Sequence, residues 1–128
     1  MSKILIADDD QELVRLLSEL LQDNGYEIDT AVDSLRVYDR AKEGKPDLIL
    51  LDIMMPYLDG WDELRLFSLD EELRRIPVIV MTADRSVFKG VDNPAQYGIV
   101  DHVFKPFELS DLLAKVERAL SWPNAATL

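Results

Sequence analysis

The sequence of 128 residues contains no cysteine, which excludes several kinds of chemistry at once. A chain without thiols has no disulfide framework, no thiolate nucleophile and no cysteine-ligated zinc. Long apolar runs are also missing: none approaches the roughly 20 residues that a membrane-spanning helix needs. The N-terminal residues 1–10 lack the apolar core of a signal peptide. We therefore expect a cytoplasmic protein with no role in a membrane.

Basic residues are few, because 14 lysines and arginines stand against 25 aspartates and glutamates, for a net charge of −11. Such a charge disfavours binding to the phosphate backbone of a nucleic acid or to an anionic membrane surface. The composition, 48% hydrophobic and 30% charged, is that of an ordinary globular protein. The length predicts one domain, which we place at residues 1–122, followed by a short tail at 123–128.

Strand-like and helix-like segments alternate along the chain, and this alternation predicts an α/β fold with a parallel sheet. Five strands are expected, at residues 3–7, 26–31, 47–51, 78–81 and 99–104. The alternating pattern of the second strand indicates an edge position, and the fully apolar third strand a central one. Right-handed crossovers favour the flavodoxin-like strand order 2-1-3-4-5, with helices on both faces of a three-layer domain.

The first and second helices are bounded by recognisable capping residues. The first is expected to begin after Asp10 and to end at Gly25. Its apolar stripe consists of Leu13, Val14, Leu16, Leu17, Leu20 and Leu21. The second is expected at residues 34–42, capped by Ser34 and ended by Gly44.

The later helices are less uniform in pattern. A third helix is expected from about residue 61 to 73, and the last one has an apolar stripe that ends near Trp122. The segment 86–97 should hold a helix between the fourth and fifth strands, yet it contains Gly90 and Pro94. In a helix interior these residues cost roughly 1 and 3 kcal/mol, so we predict that no regular, full-length helix forms there.

Charged residues follow three of the apolar strands. Asp8 and Asp9 follow the first strand, Asp52 the third and Lys105 the fifth. In the order 2-1-3-4-5 the first and third strands are neighbours, so the three carboxylates meet in the crevice where open α/β sheets bind ligands. A single acid at a strand end is most often a solvated loop residue, but the combination predicts a site for a hard cation such as Mg²⁺ and phosphate chemistry beside it.

Four short motifs at the strand ends resemble the receiver domain of bacterial two-component response regulators. The resemblance covers residues 3–121, and its motifs are Asp8-Asp9, the segment 52–56 with Asp59-Gly60, Thr82-Ala83, and Lys105-Pro106-Phe107. It identifies the domain at 1–122 as a receiver domain. It implies a phosphorylation-activated switch in a two-component or phosphorelay system, with only self-directed phosphotransfer and autodephosphorylation rather than enzymatic turnover.

The resemblance also implies a role for each matched residue. Asp52 is the expected phosphoacceptor, a carboxylate nucleophile that attacks the phosphorus of a phosphohistidine. The expected Mg²⁺ ligands (Mn²⁺ being an alternative) are Asp9, Asp52 and the backbone carbonyl of Met54, with Asp8 acting through a bound water. The phosphoryl group would contact Lys105, Thr82 and Ala83, and Pro106 would follow a cis peptide bond.

The sequence departs from the family pattern at the switch position three residues before the lysine. His102 stands there in place of the usual tyrosine or phenylalanine, which leaves open how strongly a Thr82–His102 switch couples phosphorylation to the surface. Met54 and Asp84, two residues beyond Asp52 and Thr82, leave the lifetime of the acyl phosphate open, since Met54 favours shielding it and Asp84 favours orienting water.

The implied partners are a histidine kinase or a histidine phosphotransfer protein. A downstream protein, or a second copy in a homodimer, would bind the face of the fourth helix, fifth strand and fifth helix, with no direct nucleic-acid contact. Two other functions fit the same kind of sheet but agree less well with the sequence. A flavodoxin-like FMN carrier conflicts with three acids where the FMN phosphate would bind, and a Mg²⁺-dependent phosphohydrolase conflicts with the absence of a segment long enough for a cap.

Overall fold

The sheet has the strand order that the sequence predicts. In the computed structural model, which describes residues 1–57 and 59–121, the order is β2-β1-β3-β4-β5. All neighbouring strands are parallel. The strands are β1 (Lys3–Ala7), β2 (Glu27–Ala31), β3 (Leu48–Asp52), β4 (Val78–Thr82) and β5 (Ile99–Phe104).

Helices cover both faces of this sheet. The α-helices of the described chain are α1 (Gln11–Asp23), α2 (Val37–Gly44), α3 (Gly60–Ser68) and α4 (Leu109–Ser121). Short 3₁₀ turns lie at Ser34–Arg36, Leu73–Arg75 and Pro94–Tyr97. Within residues 1–57 and 59–121, no helix has the length and apolar character to cross a membrane.

The three inner strands, β1, β3 and β4, are apolar because each contributes to two cores. Alternate side chains point to opposite faces, so Leu5 and Ile49 join α2 and α3 in one buried cluster. Ile4 and Leu50 join α1 and α4 in the other. Every residue of β3 is buried, which explains its continuous apolar run. The result is the predicted three-layer α/β architecture.

Helix boundaries differ from the sequence prediction in several places. Asp10 caps α1 as expected, since its side chain accepts a hydrogen bond from the Leu13 N–H. The second helix starts later, however: Asp33 and not Ser34 provides the cap, and a 3₁₀ turn precedes α2. Gly44 is still helical, and the left-handed capping residue is Lys45, with φ 47°.

Two further expectations about helices were wrong. α3 ends at Ser68 and not near residue 73, because a separate turn bonded to Asp70 follows it. Leu16 of the expected apolar stripe is 47% exposed, since the face of α1 that packs on the sheet is centred on Val14, Leu17 and Leu21. Trp122 and the expected tail lie outside the described residues.

The segment between β4 and β5 is irregular, as Gly90 and Pro94 predicted. Its only regular part among the described residues is the 3₁₀ turn Pro94–Tyr97, which begins at the proline. A proline is tolerated there because the first residue of a helix needs no N–H partner. The fourth helix of the expected partner face is therefore absent, and the helix expected fifth is α4.

Candidate functional site

The carboxyl ends of β1, β3 and β5 bring four charged side chains together. Asp8 and Asp9 follow β1, Asp52 is the last residue of β3, and Lys105 follows β5. The pairing of Ala7 with Leu51 places Asp8 beside Asp52 across the two strands. One carboxylate oxygen from each of Asp8, Asp9 and Asp52 lies within 4.8 Å of the others. We call this group of three acids the acidic crevice.

The members of the acidic crevice differ in exposure. Asp8 is fully buried and Asp52 is 5% exposed, whereas Asp9 is open to solvent. A cation entering from solvent would therefore meet Asp9 first. Oxygen donors at this spacing suit a hard divalent ion. The sequence prediction of one carboxylate cluster at this edge is confirmed.

Lys105 holds the two buried carboxylates in place. Its ammonium group donates to Asp8 Oδ2 at 2.7 Å and to Asp52 Oδ2 at 3.1 Å. The remaining oxygens accept backbone hydrogen bonds, Asp8 Oδ1 from Asp10 N–H at 3.0 Å and Asp52 Oδ1 from Met54 N–H at 2.9 Å. Each buried carboxylate oxygen of Asp8 and Asp52 thus has one donor.

The charges of Asp8 and Lys105 are coupled. Burial raises the pKa of Asp8, and this outweighs the opposing effect of the Lys105 and Asp10 hydrogen bonds. Burial alone would lower the pKa of Lys105, but the hydrogen bond and charge of Asp8, with the charge of Asp52, raise it overall. Lys105 is therefore a firmly protonated cation that bonds two acids at once.

Thr82 and Ala83 form the neighbouring wall of the crevice. Thr82 ends β4 and is buried, and its main-chain carbonyl accepts the N–H of Lys105 at 2.8 Å. Its Oγ1 accepts the N–H of Asp84 at 3.1 Å, which leaves the hydroxyl hydrogen available to donate elsewhere. Ala83 is exposed and adds no bulk beyond a methyl group.

The peptide bond between Lys105 and Pro106 is cis, as expected. Asp59 lies outside the acidic crevice, because its side chain caps α3 by accepting the N–H of Asp62 at 3.0 Å. The carbonyl of Met54 as a metal ligand and the water-mediated role of Asp8 stay predictions.

His102 is built into a row of rings rather than into the crevice. Its ring centroid lies 4.9 Å from that of Phe88 and 5.0 Å from that of Phe104. The guanidinium group of Arg85 lies over the Phe104 ring, with Cζ 5.1 Å from the ring centroid. A Thr82–His102 switch would require His102 to move within this packing when Asp52 is phosphorylated. The switch stays a prediction.

Two features of the region were missed by the sequence analysis. The contact of Lys105 with Asp8 could not be anticipated, since a strand order gives the edge but not the reach of a side chain. Glu63 of α3 is 1% exposed and was not singled out at all. Its signal was an acid on the same helical stripe as Gly60 and Phe67, which are buried too.

A cavity of about 720 Å³ lies at the opposite edge of the sheet, where β4 and β5 begin. Its lining includes Arg74, Arg75, Ile76 and Ile99. None of the acidic crevice residues lines this cavity, so the cavity and the converging ionised groups lie at opposite edges of the sheet. We assign the functional site to the edge that carries the converging ionised groups.

Comparison with known proteins shows the family of the chain. The family model described as "Response regulator receiver domain" matches residues 4–117. The transcriptional regulator RpaA of Synechocystis is 36% identical over 123 residues, covering 94% of this chain and 49% of that protein. The transcriptional regulatory protein PcoR of Escherichia coli is 35% identical over 120 residues, covering 94% of this chain and 52% of that protein. The chain thus spans about half the length of these relatives.

Solved structures give the same result. The chemotaxis response regulator CheY4 of Vibrio cholerae has a TM-score of 0.84 and 29% identity, covering 94% of this chain and 99% of that one. The receiver domain of the sensor histidine kinase PA1611 of Pseudomonas aeruginosa, solved with magnesium in its active-site cleft, has a TM-score of 0.80 and 28% identity. It covers 93% of this chain and 97% of that one.

These matches favour a phosphoacceptor switch, which is not a conventional enzyme, over the two alternatives of an FMN carrier and a phosphohydrolase. The predicted flavodoxin-like fold and the predicted family are both confirmed. With its sheet order, its acidic crevice and a family match over residues 4–117, the chain belongs to the response regulator receiver domains of two-component systems.

Proposed function

We propose that this receiver domain accepts a phosphoryl group on Asp52 in a reaction that needs Mg²⁺. The observation that carries the proposal is the position of Asp52, whose carboxylate accepts the Lys105 ammonium at 3.1 Å and has an oxygen within 4.8 Å of the two other acids of the crevice. A nucleophile needs to be ionised beside groups that stabilise incoming negative charge. Asp52 has both kinds of neighbour, a cluster of acids suited to a cation and the Lys105 ammonium group.

The residues of the acidic crevice fit a divalent cation by their donor type. Carboxylate oxygens from Asp8, Asp9 and Asp52 within 4.8 Å of one another are an oxygen-only donor set. Mg²⁺ prefers one or two carboxylates together with water and phosphate oxygens, and Mn²⁺ accepts a similar set. We propose Asp9, Asp52 and the Met54 carbonyl as direct ligands, and Asp8 as a ligand through water. The bound ion would neutralise charge on the phosphoryl oxygens.

The proposed chemistry is a single displacement at phosphorus. A carboxylate oxygen of Asp52 attacks the phosphorus of a phosphohistidine, the new P–O bond forms, and the P–N bond breaks. The electron pair of that bond leaves with the donor imidazole, which takes up a proton. Asp52 Oδ1 accepts the Met54 N–H at 2.9 Å, and this bond orients the carboxylate for attack by its other oxygen.

Three neighbouring residues would then hold the product. The Lys105 ammonium, released from Asp52 Oδ2, would bind a phosphoryl oxygen. The Thr82 hydroxyl, whose oxygen already accepts the Asp84 N–H at 3.1 Å, would donate to another. Ala83 would let the phosphoryl group approach the backbone. Removal of any of these donors weakens stabilisation of the developing charge.

The lifetime of the acyl phosphate depends on water near Asp52. Met54 is 57% exposed at the mouth of the crevice. Asp84 Oδ1 accepts two bonds from Ser86, from Oγ at 2.6 Å and from the N–H at 2.9 Å. This turn holds Asp84 Oδ1 in place. The hydrolysis rates of the acyl phosphate in Met54→Ala and Asp84→Ala would show which of the two side chains governs the access of water.

The proposed phosphodonor is a cognate histidine kinase or a histidine phosphotransfer protein, acting in the cytoplasm as is usual for the family. The proposed downstream target of this domain is a protein, or a second copy of the chain, that binds at a face built from residues 84–97, β5 and α4. The proposed domain limits are 1–122, with a tail at 123–128. RpaA is named as a DNA-binding regulator. The acidic crevice itself carries no information about a DNA-binding part in this protein.

Mass spectrometry of the intact chain tests the phosphoacceptor proposal. Incubation with a small acyl phosphate donor and Mg²⁺ is expected to add one phosphoryl group per chain. Excess chelator should prevent the addition, and Mg²⁺ in excess of the chelator should restore it. Equal labelling with and without Mg²⁺ would contradict the metal requirement, and no labelling under any condition would contradict the function.

A further inference from the structure

Glu63 is a buried acid that the phosphoryl chemistry does not use. It lies on α3, is 1% exposed, and shares the buried stripe of that helix with Gly60, Leu64 and Phe67. Residues four apart lie on one side of a helix, so Glu63 is one turn before Phe67. The Phe67 ring stacks on Tyr38 of α2, with ring centroids 6.4 Å apart. Glu63 therefore belongs to the packing of α3 against α2.

The carboxyl group of Glu63 has no hydrogen-bond partner. Among residues 1–57 and 59–121, both Oε1 and Oε2 are buried and neither accepts a bond. A buried polar atom without a partner is rare in folded proteins, and a buried carboxylate without one is rarer still. The described structure thus leaves the charge of this group without compensation.

The charges around Glu63 make ionisation harder. The groups that act on it are Asp39 of α2 and Asp62 of α3, and both are acids. The cations of α2 are engaged elsewhere, since Arg40 pairs with Asp29 at 3.3 Å and Lys42 bonds to Asp70 at 2.7 Å. The other titratable side chains on the turns packed against α3 are Arg74, Arg75 and Tyr97, and none donates to Glu63.

A comparison of costs decides the protonation state. Protonating an ordinary glutamate at pH 7 costs a factor of roughly 300 in equilibrium. Burying an ionised carboxylate with no donor costs far more than that. The neutral form is thus the favoured one in the packed helix pair, and burial, helped by Asp39 and Asp62, raises the pKa of Glu63 to about 7.

We propose that Glu63 is a proton-binding site that makes the packing of α2 on α3 sensitive to pH near neutrality. The protonated carboxyl group is part of the folded domain. Loss of its proton to solvent leaves an uncompensated charge between the helices, and the side chain moves toward water. α3 follows directly on the loop after Asp52, and the Gly60 N–H donates to the Ile53 carbonyl at 2.9 Å. Loosening of α3 therefore acts on an element next to the acidic crevice.

The sign of the pH effect follows from proton linkage. The unfolded chain releases the Glu63 proton near its ordinary pKa of 4.5, whereas the folded chain keeps it up to about pH 7. The folded state binds more protons in that window, so stability falls as the pH rises through it. Glu63→Gln keeps the neutral shape and removes this contribution.

Equilibrium unfolding of the full chain from pH 4.5 to 8.5 tests the proposal. The unfolding constant of the wild type, divided by that of Glu63→Gln, is expected to rise by up to about tenfold per pH unit between pH 5 and 7 and then to level off. Glu19→Gln is the matched control, because Glu19 is an exposed glutamate on α1. Its ratio to the wild type should stay flat. Glu63→Leu serves in place of Glu63→Gln if the amide does not fold.

Carboxyl-carbon NMR of Glu63 gives the direct readout. A titration midpoint near neutral pH, lowered in Asp39→Asn, is the expected result. Amide hydrogen exchange in α2 and α3, corrected for intrinsic rates, should quicken above the midpoint in the wild type but not in Glu63→Gln. A midpoint at the ordinary glutamate value, or a flat stability ratio, would overturn the proposal, and unchanged exchange would overturn the loosening of the helices. None of these measurements involves phosphorylation.

Discussion

Lys105 is the residue that makes the acidic crevice tolerable before any ion binds. Asp8 is fully buried, and an uncompensated buried charge would cost several kcal/mol. The ammonium bonds Asp8 and Asp52 at the same time, at 2.7 and 3.1 Å. Only Asp9, exposed at the rim, has no such counterion. At the residue scale, the site is thus two acids that share one ammonium group and a third acid that is open to a cation.

Asp9→Ala is expected to abolish measurable Mg²⁺ binding, because Asp9 is the exposed acid and the proposed direct ligand. Asp8→Ala should weaken binding less, since Asp8 is already bonded to Lys105 and is proposed to act through water. Calorimetric titration with Mg²⁺ measures both. Asp23→Ala provides the control, as an exposed aspartate at the far end of α1. Equal affinities in Asp9→Ala and the wild type would refute the ligand assignment.

The three acids and Lys105 were predictable from sequence, and Glu63 was not, for a physical reason. A charge directly after an apolar strand must lie at the sheet edge whatever the details of packing. Whether Glu63 is buried depends on which face of α3 packs against the sheet. That face is found from the spacing of apolar residues, so an acid on it is not expected. The Lys105–Asp8 contact depends on a rotamer, which no pattern encodes.

At the scale of elements, Gly60 fixes how closely α3 approaches the end of β3. A Cβ on Gly60 would collide with Ile53 Cγ1 and would lie 2.5 Å from Ile53 Cα. Gly60→Ala should therefore lower the free energy of unfolding by about 2–3 kcal/mol, although alanine is favoured over glycine in a helix. Chemical denaturation measures the change.

Gly44→Ala is the control for this prediction. Gly44 is also helical, but the nearest atoms to its Cβ would be the ends of flexible side chains, Asp29 Oδ2 and Lys3 Nζ, both at 3.3 Å. Its replacement should be neutral or stabilising by up to about 1 kcal/mol. Similar effects of the two substitutions would show that close packing at Gly60 is not the cause.

Asp70 joins the turn after α3 to α2. Its Oδ2 accepts Tyr38 Oη at 2.8 Å and Lys42 Nζ at 2.7 Å, and its Oδ1 accepts the N–H groups of Glu72 and Leu73. The hydrogen bonds from Lys42 and Tyr38 hold the pKa of Asp70 well below its usual range.

A depressed acid pKa stabilises the fold above the unfolded value near 3.8 and loses that effect as the pH falls below it. Asp70→Asn should therefore destabilise the domain at pH 6, and its difference from the wild type should shrink below pH 4. Thermal unfolding across this range measures the difference. A gap that stays constant with pH would show that the charge of Asp70 does not contribute.

The elements themselves were mostly predictable, because strand order and strand ends follow from apolar runs and connection rules. β5 agrees with its predicted limits, residues 99–104. The end of α3 was predicted wrongly, since the network of Asp70 with α2 ends it through long-range contacts. The irregular segment after β4 was predicted correctly, because Gly90 and Pro94 act locally.

For the molecule as a whole, a row of rings connects α3 and the segment after β4 with β5. It consists of Trp61, Tyr97, Phe88, His102 and Phe104. Trp61 of α3 contacts Phe88 and Tyr97, with centroids 6.2 and 5.4 Å apart, and Phe88 contacts His102. A change at the acidic crevice that moves His102 would be passed on to Phe88 and Phe104, whose rings it contacts.

NMR of His102, the single imidazole of the chain, reports on that movement. If His102 is the switch ring, its solvent exposure should fall and its ring shifts should change when Asp52 is phosphorylated or carries a phosphoryl mimic. Thr82→Ala should reduce the change, because the proposed coupling passes through the Thr82 hydroxyl. Identical imidazole signals in both states would exclude a Thr82–His102 switch.

Site mapping of the phosphoryl group tests the central claim most directly. The wild type, Asp52→Asn and the control Asp59→Asn are each incubated with a small acyl phosphate donor and Mg²⁺, then digested and mapped by mass spectrometry. Asp59 is a suitable control because it follows Asp52 along the chain but caps α3 outside the crevice. The assignment of Asp52 as the phosphoacceptor predicts one phosphoryl group on Asp52 in the wild type and in Asp59→Asn, and none in a folded Asp52→Asn. Stoichiometric labelling of Asp52→Asn, or a phosphate mapped to another aspartate of the wild type, would contradict it.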